Sequence, residues 1–364
     1  MRFEEDFRKP SGIDRLLKRL ETLSLDAGPI RIMEICGTHT MSIAKSGLRS
    51  LLPPSIRLVS GPGCPVCVTP AGYIDAILRL SERPGLVITS YGDLLRVPGS
   101  QRGDTLLRRR AEGAQIHMVY SPMEALEMAA EHPEREVVFL GVGFETTAPG
   151  TAACILEAAE RGIRNFSVLC LLKNTPPALR ALINAPDFAV NGFLCPGHVA
   201  AITGSDAFQF LPQEYGLPAV VSGFEAGDLL FSVYRLVDCI VHHTPALENE
   251  YTRLVQPKGN PAALAAMRQV FEPTDNLWRG LGLLPASGLR LRPEFAPWDA
   301  AAKFSYAPSQ RSENPGCLCG AVIRGIHLPN ECPLFGTDCT PTDPVGPCMV
   351  SSEGACAAAY RYQI

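Results

Sequence analysis

The chain has 364 residues, 46% of them hydrophobic, which is enough material for two or three packed cores. Its 33 basic and 37 acidic side chains leave a net charge of −4, and the densest basic run is only Arg108-Arg-Arg110, so nucleic acid is not an expected partner. A membrane is not expected either: the apolar run Val137–Gly143 falls far short of a span of ~20 residues, and the opening MRFEEDFRKP puts charges where a secretory leader is apolar.

Short β-branched runs alternate with helical patterns at intervals of roughly 25–30 residues, the signature of βα units in a parallel sheet. Strands are expected at Ile30–Ile35, Ile56–Ser60, Leu86–Thr89, Ile116–Tyr120, Val137–Gly141, Phe166–Leu171, Phe188–Gly192 and Ala219–Ser222. Helices fill the gaps at Ile13–Leu23, Ala71–Ser81, Pro122–Glu131 with its Ser121 cap, Thr151–Arg161 and Ala226–Leu236. The fold class is therefore α/β, with two doubly wound, Rossmann-like halves of four strands each. They divide near His132-Pro133 into a first domain over 1–133 and a second over 134–251. Residues 252–364 form a third unit: a helix over Pro261–Phe271, an irregular Pro-rich connector to about residue 310, and a Cys-rich tail.

Chemistry-bearing residues fall just after expected strands, the edge at which open α/β sheets bind ligands. Strand one runs into Cys36-Gly-Thr-His39, whose thiol and imidazole can face one metal or one substrate; a buried inert Cys beside a hydrogen-bonded His is the plainer alternative. Strand two runs into Cys64-Pro-Val-Cys67 ahead of a helix, where the N-terminal dipole favours thiolate and a reversible disulfide can close, although half of a zinc site would look the same. Strand three ends in Ser90-Tyr-Gly-Asp93 and strand seven in Cys195-Pro-Gly-His198, whose imidazole is either a cleft residue or structural. Glu145, after strand five, either orients a ligand as acid or base or caps a helix. Gly141-x-Gly143 lacks the third glycine and the acid of a dinucleotide fingerprint, and no P-loop is present. Cys154, Cys170 and Cys239 sit inside element patterns and read as core.

Six of the thirteen cysteines, Cys317, Cys319, Cys332, Cys339, Cys348 and Cys356, crowd the tail among Gly and Pro. Taking Cys317, Cys332, Cys339 and Cys356 gives C-x14-C-x6-C-x16-C, four thiolates suited to a 4Fe-4S cluster or a structural zinc. A disulfide framework is the rival, and a reducing cytoplasm argues against it.

Met33-Glu-Ile-Cys-Gly-Thr-His-Thr40, Gly61-Pro-Gly-Cys-Pro-Val-Cys-Val-Thr-Pro70, Gly143-Phe-Glu-Thr-Thr-Ala-Pro149, Cys195-Pro-Gly-His-Val199 and Gly346-Pro-Cys-Met-Val-Ser-Ser-Glu-Gly-Ala-Cys356 together resemble the HypD family of NiFe-hydrogenase maturation proteins, nearly end to end. The resemblance implies a cytoplasmic scaffold on which the Fe(CN)2(CO) group is assembled. It further implies a HypC-type chaperone, cyanide from a HypE-type carrier, and indirect delivery to the hydrogenase large-subunit precursor. By position it implies Cys36 as the iron-binding thiolate with His39 beside it, and Cys64 and Cys67 as a redox dithiol. Cys317, Cys332, Cys339 and Cys356 would then hold the 4Fe-4S cluster, with Cys319 the alternative first ligand and Cys348 spare. Electrons passing from such a cluster through the dithiol to the iron would explain why one chain carries all three, and Cys36 is expected to stay open to alkylation while the dithiol closes. A thioredoxin-like thiol-disulfide oxidoreductase with an Fe-S or zinc tail is the rival function; it leaves the Cys36–His39 and Gly143–Thr147 loops unexplained.

Overall fold

A computed structural model describes residues 10–25, 28–308, 313, 314 and 316–363; the charged start read above lies outside residues 10–363 apart from Pro10. The architecture is α/β. Nine strands form two parallel sheets: β1 (Ile30–Glu34), β2 (Ile56–Ser60), β7 (Gly192–Pro196), β8 (Ala219–Ser222) and β9 (Leu247–Asn249) in the order β2-β1-β7-β8-β9, and β3 (Leu86–Ser90), β4 (Ile116–Met118), β5 (Glu136–Gly143) and β6 (Phe166–Leu172) in the order β4-β3-β5-β6. Both sheets are covered by helices, which is why their strands read as nearly continuous apolar runs. No helix among the described residues is long and apolar enough to cross a membrane.

The expected grouping of four strands and then four is corrected by the pairing. The chain leaves the first sheet after β2, builds the whole second sheet, and returns at β7, which pairs with β1 through Ile32↔Gly192 and Glu34↔Leu194. His132-Pro133 therefore falls inside one sheet, between β4 and β5. Residue periodicity reports where strands are; it carries no information about which strand each one pairs with.

Two local expectations also shift. The strand sought at Phe188–Gly192 begins where that range ends, because Asn191 is its entry turn: its amide donates to Arg31 O at 2.8 Å and its side chain accepts from Arg31 N at 2.8 Å. The supposed connector contains an antiparallel hairpin, β10 (Phe271–Trp278) and β11 (Gly282–Leu291), with an irregularity between Thr274 and Asn276. Each strand of a two-stranded ribbon is an edge strand, so Pro273 and Pro285 sit where no second full ladder claims their missing N–H groups; the outer side of β11 is met by the segment after β6, where Ser287 O accepts from Asn174 N at 2.9 Å. The hairpin is anchored by Lys173, a fully buried amine donating to Asn276 Oδ1 at 2.6 Å and Leu277 O at 2.8 Å. Trp278 stacks on Phe144 with centroids 5.8 Å apart, a pairing worth ~1 kcal/mol beyond its buried area.

The tail does not stand apart. Cys319, Cys339, Cys348 and Cys356 belong to the same buried cluster as Met33, Cys64, Cys67, Phe144 and Trp278, and the last helix, Ala355–Tyr362, packs on the helix Gly37–Lys45 that follows β1.

Candidate functional site

β1 lies between β2 and β7, where the chain order of the sheet reverses, and the crevice beyond such a strand is where open α/β sheets seat ligands. Cys36 occupies that position as the N-cap of Gly37–Lys45. It is 7% exposed, and burial pushes its thiol up to about 12; the nearby carboxylate of Glu353 adds to the rise, while the backbone N–H groups of His39 and Thr38 pull against it. A thiol so placed holds its proton at neutral pH, and both this and its burial oppose the alkylation expected of it. A cation that replaces the proton removes the cause of the shift.

His39 is buried, with its Nε2 3.0 Å from Gly223 O and 3.3 Å from Ser222 O. Carbonyl oxygens only accept, so Nε2 carries the proton and Nδ1 presents a lone pair. Among the described residues Nδ1 has no hydrogen-bond partner, and burial lowers the ring to about 4, so the imidazole is neutral across the physiological range.

The Cys64–Cys67 loop runs directly beside Cys36. Gly63 O accepts from Gly37 N at 3.0 Å, and a Cβ on Gly63 would stand 2.3 Å from Cys36 N, so only glycine permits this approach. Cys64 and Cys67 are joined as a disulfide, with Cα atoms 5.2 Å apart, and both are buried.

Several residues that sequence reasoning did not assign complete the pocket. Glu34, fully buried at the end of β1, accepts from Cys36 N at 3.3 Å and from Thr40 Oγ1 at 2.6 Å, and burial raises its carboxyl to about 7. From the tail, Glu353 Oε1 accepts from Thr38 Oγ1 at 2.7 Å, and Ser351 Oγ lies 3.3 Å from Cys64 Sγ. Asp93, at the end of β3 in the other sheet, fastens this tail loop: its Oδ2 accepts from Ser351 Oγ at 3.2 Å, Ser352 N at 2.8 Å and Ser352 Oγ at 2.7 Å. The strand-end position of Asp93 was visible in the sequence. The roles of Ser351 and Glu353 were not, because they reach the site from about 290 to 315 residues away.

Glu145 is not gathered into this pocket by any of these contacts. Its carboxylate accepts from Thr175 N at 2.7 Å and Thr175 Oγ1 at 2.8 Å, which caps the helix Thr175–Ile183. His198 is exposed and stacks on Phe224 with ring centroids 3.9 Å apart, and the same ring meets His39 at 4.8 Å.

The tail brings all six of its cysteines, Cys317, Cys319, Cys332, Cys339, Cys348 and Cys356, to the wall of one small cavity with Leu334 and Phe335. Cys319 Sγ and Cys348 Sγ are 2.6 Å apart. Hydrogen bonds from Cys317 and Cys348 favour a thiolate on Cys319, whose titration falls well below the usual thiol range while theirs rise. Among the described residues no three Cys, His, Asp or Glu side chains close on one point as around a single ion. Soft sulfur donors gathered around an apolar space are the donor set that an iron–sulfur group takes. The geometry does not choose between Cys317 and Cys319 as the first ligand, and it places Cys348 in the wall with the rest.

The family model described as "HypD: Hydrogenase formation hypA family" matches residues 11–363. The "Hydrogenase maturation factor HypD" of Escherichia coli K12 is 44% identical over 369 residues, covering 100% of this chain and 98% of the relative. Proteins of the same name from Rhodobacter capsulatus and Azotobacter vinelandii are 45% and 44% identical, covering 100% of this chain and 98% and 97% of their own lengths.

Proposed function

This chain belongs to the HypD family of hydrogenase maturation factors, and from that premise we propose that it is the cytoplasmic scaffold on which the Fe(CN)2(CO) group of a NiFe-hydrogenase is assembled. The observation that carries the reading is Cys36, a buried thiol at the switch point of a parallel sheet, with the Cys64–Cys67 disulfide loop against it and, among the described residues, an unpartnered imidazole nitrogen of His39 nearby. The rival reading as a thioredoxin-like oxidoreductase has no support among the relatives, and it leaves this pocket without a use.

In the proposed role the iron is cargo. Low-spin iron carrying cyanide and CO is a soft centre for which thiolate is a suitable ligand, and one protein thiolate leaves positions for the diatomics and for a thiolate from a HypC-type chaperone. Glu34 fixes the Cys36 backbone and the Thr38 and His39 amides face its sulfur, so the ligand is oriented before iron arrives. Glu353, whose carboxyl burial raises, is placed to take the proton that Cys36 releases. Cyanide from a HypE-type carrier would enter the same crevice, and delivery to the large-subunit precursor would follow release from Cys36. In the tail, Cys317 or Cys319 with Cys332, Cys339 and Cys356 would hold a 4Fe-4S cluster. Such a group supplies one-electron transfer when bound. Opening the Cys64–Cys67 disulfide takes two electrons and two protons and leaves two thiols beside the iron site.

Infrared spectroscopy of the protein co-purified with its chaperone tests the proposal, because cyanide and CO absorb where protein does not. Cys36→Ala should fold, retain tail iron and lose those bands. Bands at full intensity in the variant would refute the assignment.

A further inference from the structure

The tip of the β10–β11 hairpin is wedged between the Cys64–Cys67 loop and the cysteine-lined cavity, and the maturation reading gives it no role. Arg279 stands at this tip, 6% exposed. Its backbone N donates to Val68 O at 2.8 Å, and its guanidinium donates to Thr69 O from Nη2 at 2.8 Å and Nε at 3.3 Å, so three bonds seize the chain directly after Cys67. On the other side, Gly280 has φ +78° and lies against Gly320, the neighbour of Cys319; a Cβ there would meet Gly320 Cα at 2.7 Å. Glu313 is the ion-pair partner of the Arg279 guanidinium. The guanidinium charge acts on Cys319, Cys348 and Cys317.

We propose that Arg279 is a positioning residue that ties the dithiol loop to the thiolate cavity and, as a buried cation between them, sets the reduction potential of the group the cavity holds. The inference rests on the reading of the tail as an iron–sulfur site. A buried guanidinium cannot shed its proton, so its charge is permanent. Reduction makes a thiolate-bound cluster more negative, and a fixed positive charge in low-dielectric surroundings favours the reduced form and raises the potential. Glu313 offsets part of that charge. Thr69 O and Val68 O mean that the same side chain and its backbone also hold Cys67 in place.

The test is a spectroelectrochemical titration of the full-length, anaerobically purified protein, followed at the broad iron–sulfur absorbance near 400 nm. Arg279→Met should shift the cluster so that the reduced-to-oxidised ratio at a fixed poise falls about tenfold, about 59 mV for a one-electron couple. Glu313→Gln should shift it in the opposite sense. Arg279→Lys, which keeps the charge and loses the forked contact with Thr69 O, should restore the potential while leaving Cys64 and Cys67 faster to alkylate after reduction. Full iron content with an unchanged midpoint in Arg279→Met overturns the inference. Should that variant fail to retain iron, an unchanged midpoint in Glu313→Gln overturns it equally. Unmodified protein that is colourless and free of iron would instead overturn the cluster reading, and the inference with it.

Discussion

Cys36 should be among the least reactive cysteines of the cargo-free protein. A free thiol titrating near 8.5 is about one-quarter thiolate at pH 8, whereas a thiol held at about 12 is thiolate to roughly one part in ten thousand. That difference of about 2,000-fold is partly offset, because the more basic sulfur is intrinsically the better nucleophile by some 30- to 50-fold at a Brønsted slope of ~0.45. The remaining deficit is roughly 50-fold before access is considered, and 7% exposure lowers the rate further. Time-resolved alkylation with peptide mass analysis measures it directly, and the rate should climb log-linearly with pH well beyond 9 rather than level off. The same shift has a stability consequence. The raised thiol contributes fully below about 8.5, the unfolded value, and its contribution is lost as pH rises from there towards 12, at about 1.4 kcal/mol per unit relative to Cys36→Ala. Labelling of Cys36 within a factor of about three of a free thiol at pH 8 would refute the account of the pocket as a desolvated, proton-holding site that iron must open.

The tail loop should depend on Asp93: Asp93→Ala deletes the acceptor of three hydrogen bonds from Ser351 and Ser352, two of them at the exposed Ser352, and should lower stability to denaturant by about 2–3 kcal/mol with faster proteolysis near Ser352. An unchanged unfolding midpoint would show that the loop is held by other means. Cys64 and Cys67, already within a 5.2 Å Cα separation, should become protected together in one two-electron transition across a series of redox buffers. Independent titration of the two would leave them as ligand or loop residues rather than a dithiol switch.

What the sequence made legible follows the range of the interactions concerned. β2 and β8 fall where period and composition place them, and Ser121 Oγ caps the helix Pro122–Glu131 by accepting from Glu124 N at 3.4 Å, since each of these is settled within a few residues. The return of β7 to β1 is settled by packing across 160 positions and left no local trace beyond Asn191. The hairpin was hidden for another reason: its prolines and glycines read as a connector, and its stability comes from Lys173 and Phe144 on distant elements. The motifs bearing Cys36, Cys64 and Cys67 stood out because strand ends in a parallel sheet share one edge. The motifs did not reveal that Glu353 and Ser351 close the same pocket.

That closure gives the tail a second consequence. Thr38 and Cys64 each meet a residue of the short loop Ser351–Glu353, and this loop is strung between Cys348 and Cys356, two of the sulfurs lining the tail cavity. Six thiols around an apolar space have little reason to hold together unless something binds them, since each buried sulfur loses hydration and gains only weak hydrogen bonds. The loop that carries Glu353 to Thr38 beside Cys36 and Ser351 to Cys64 is thus held by Asp93 on one side and flanked by cavity sulfurs on both ends. On the proposed reading, a group held by the tail cysteines and a cargo held at Cys36 would share this one loop, so a change at either site has a short covalent and hydrogen-bonded route to the other.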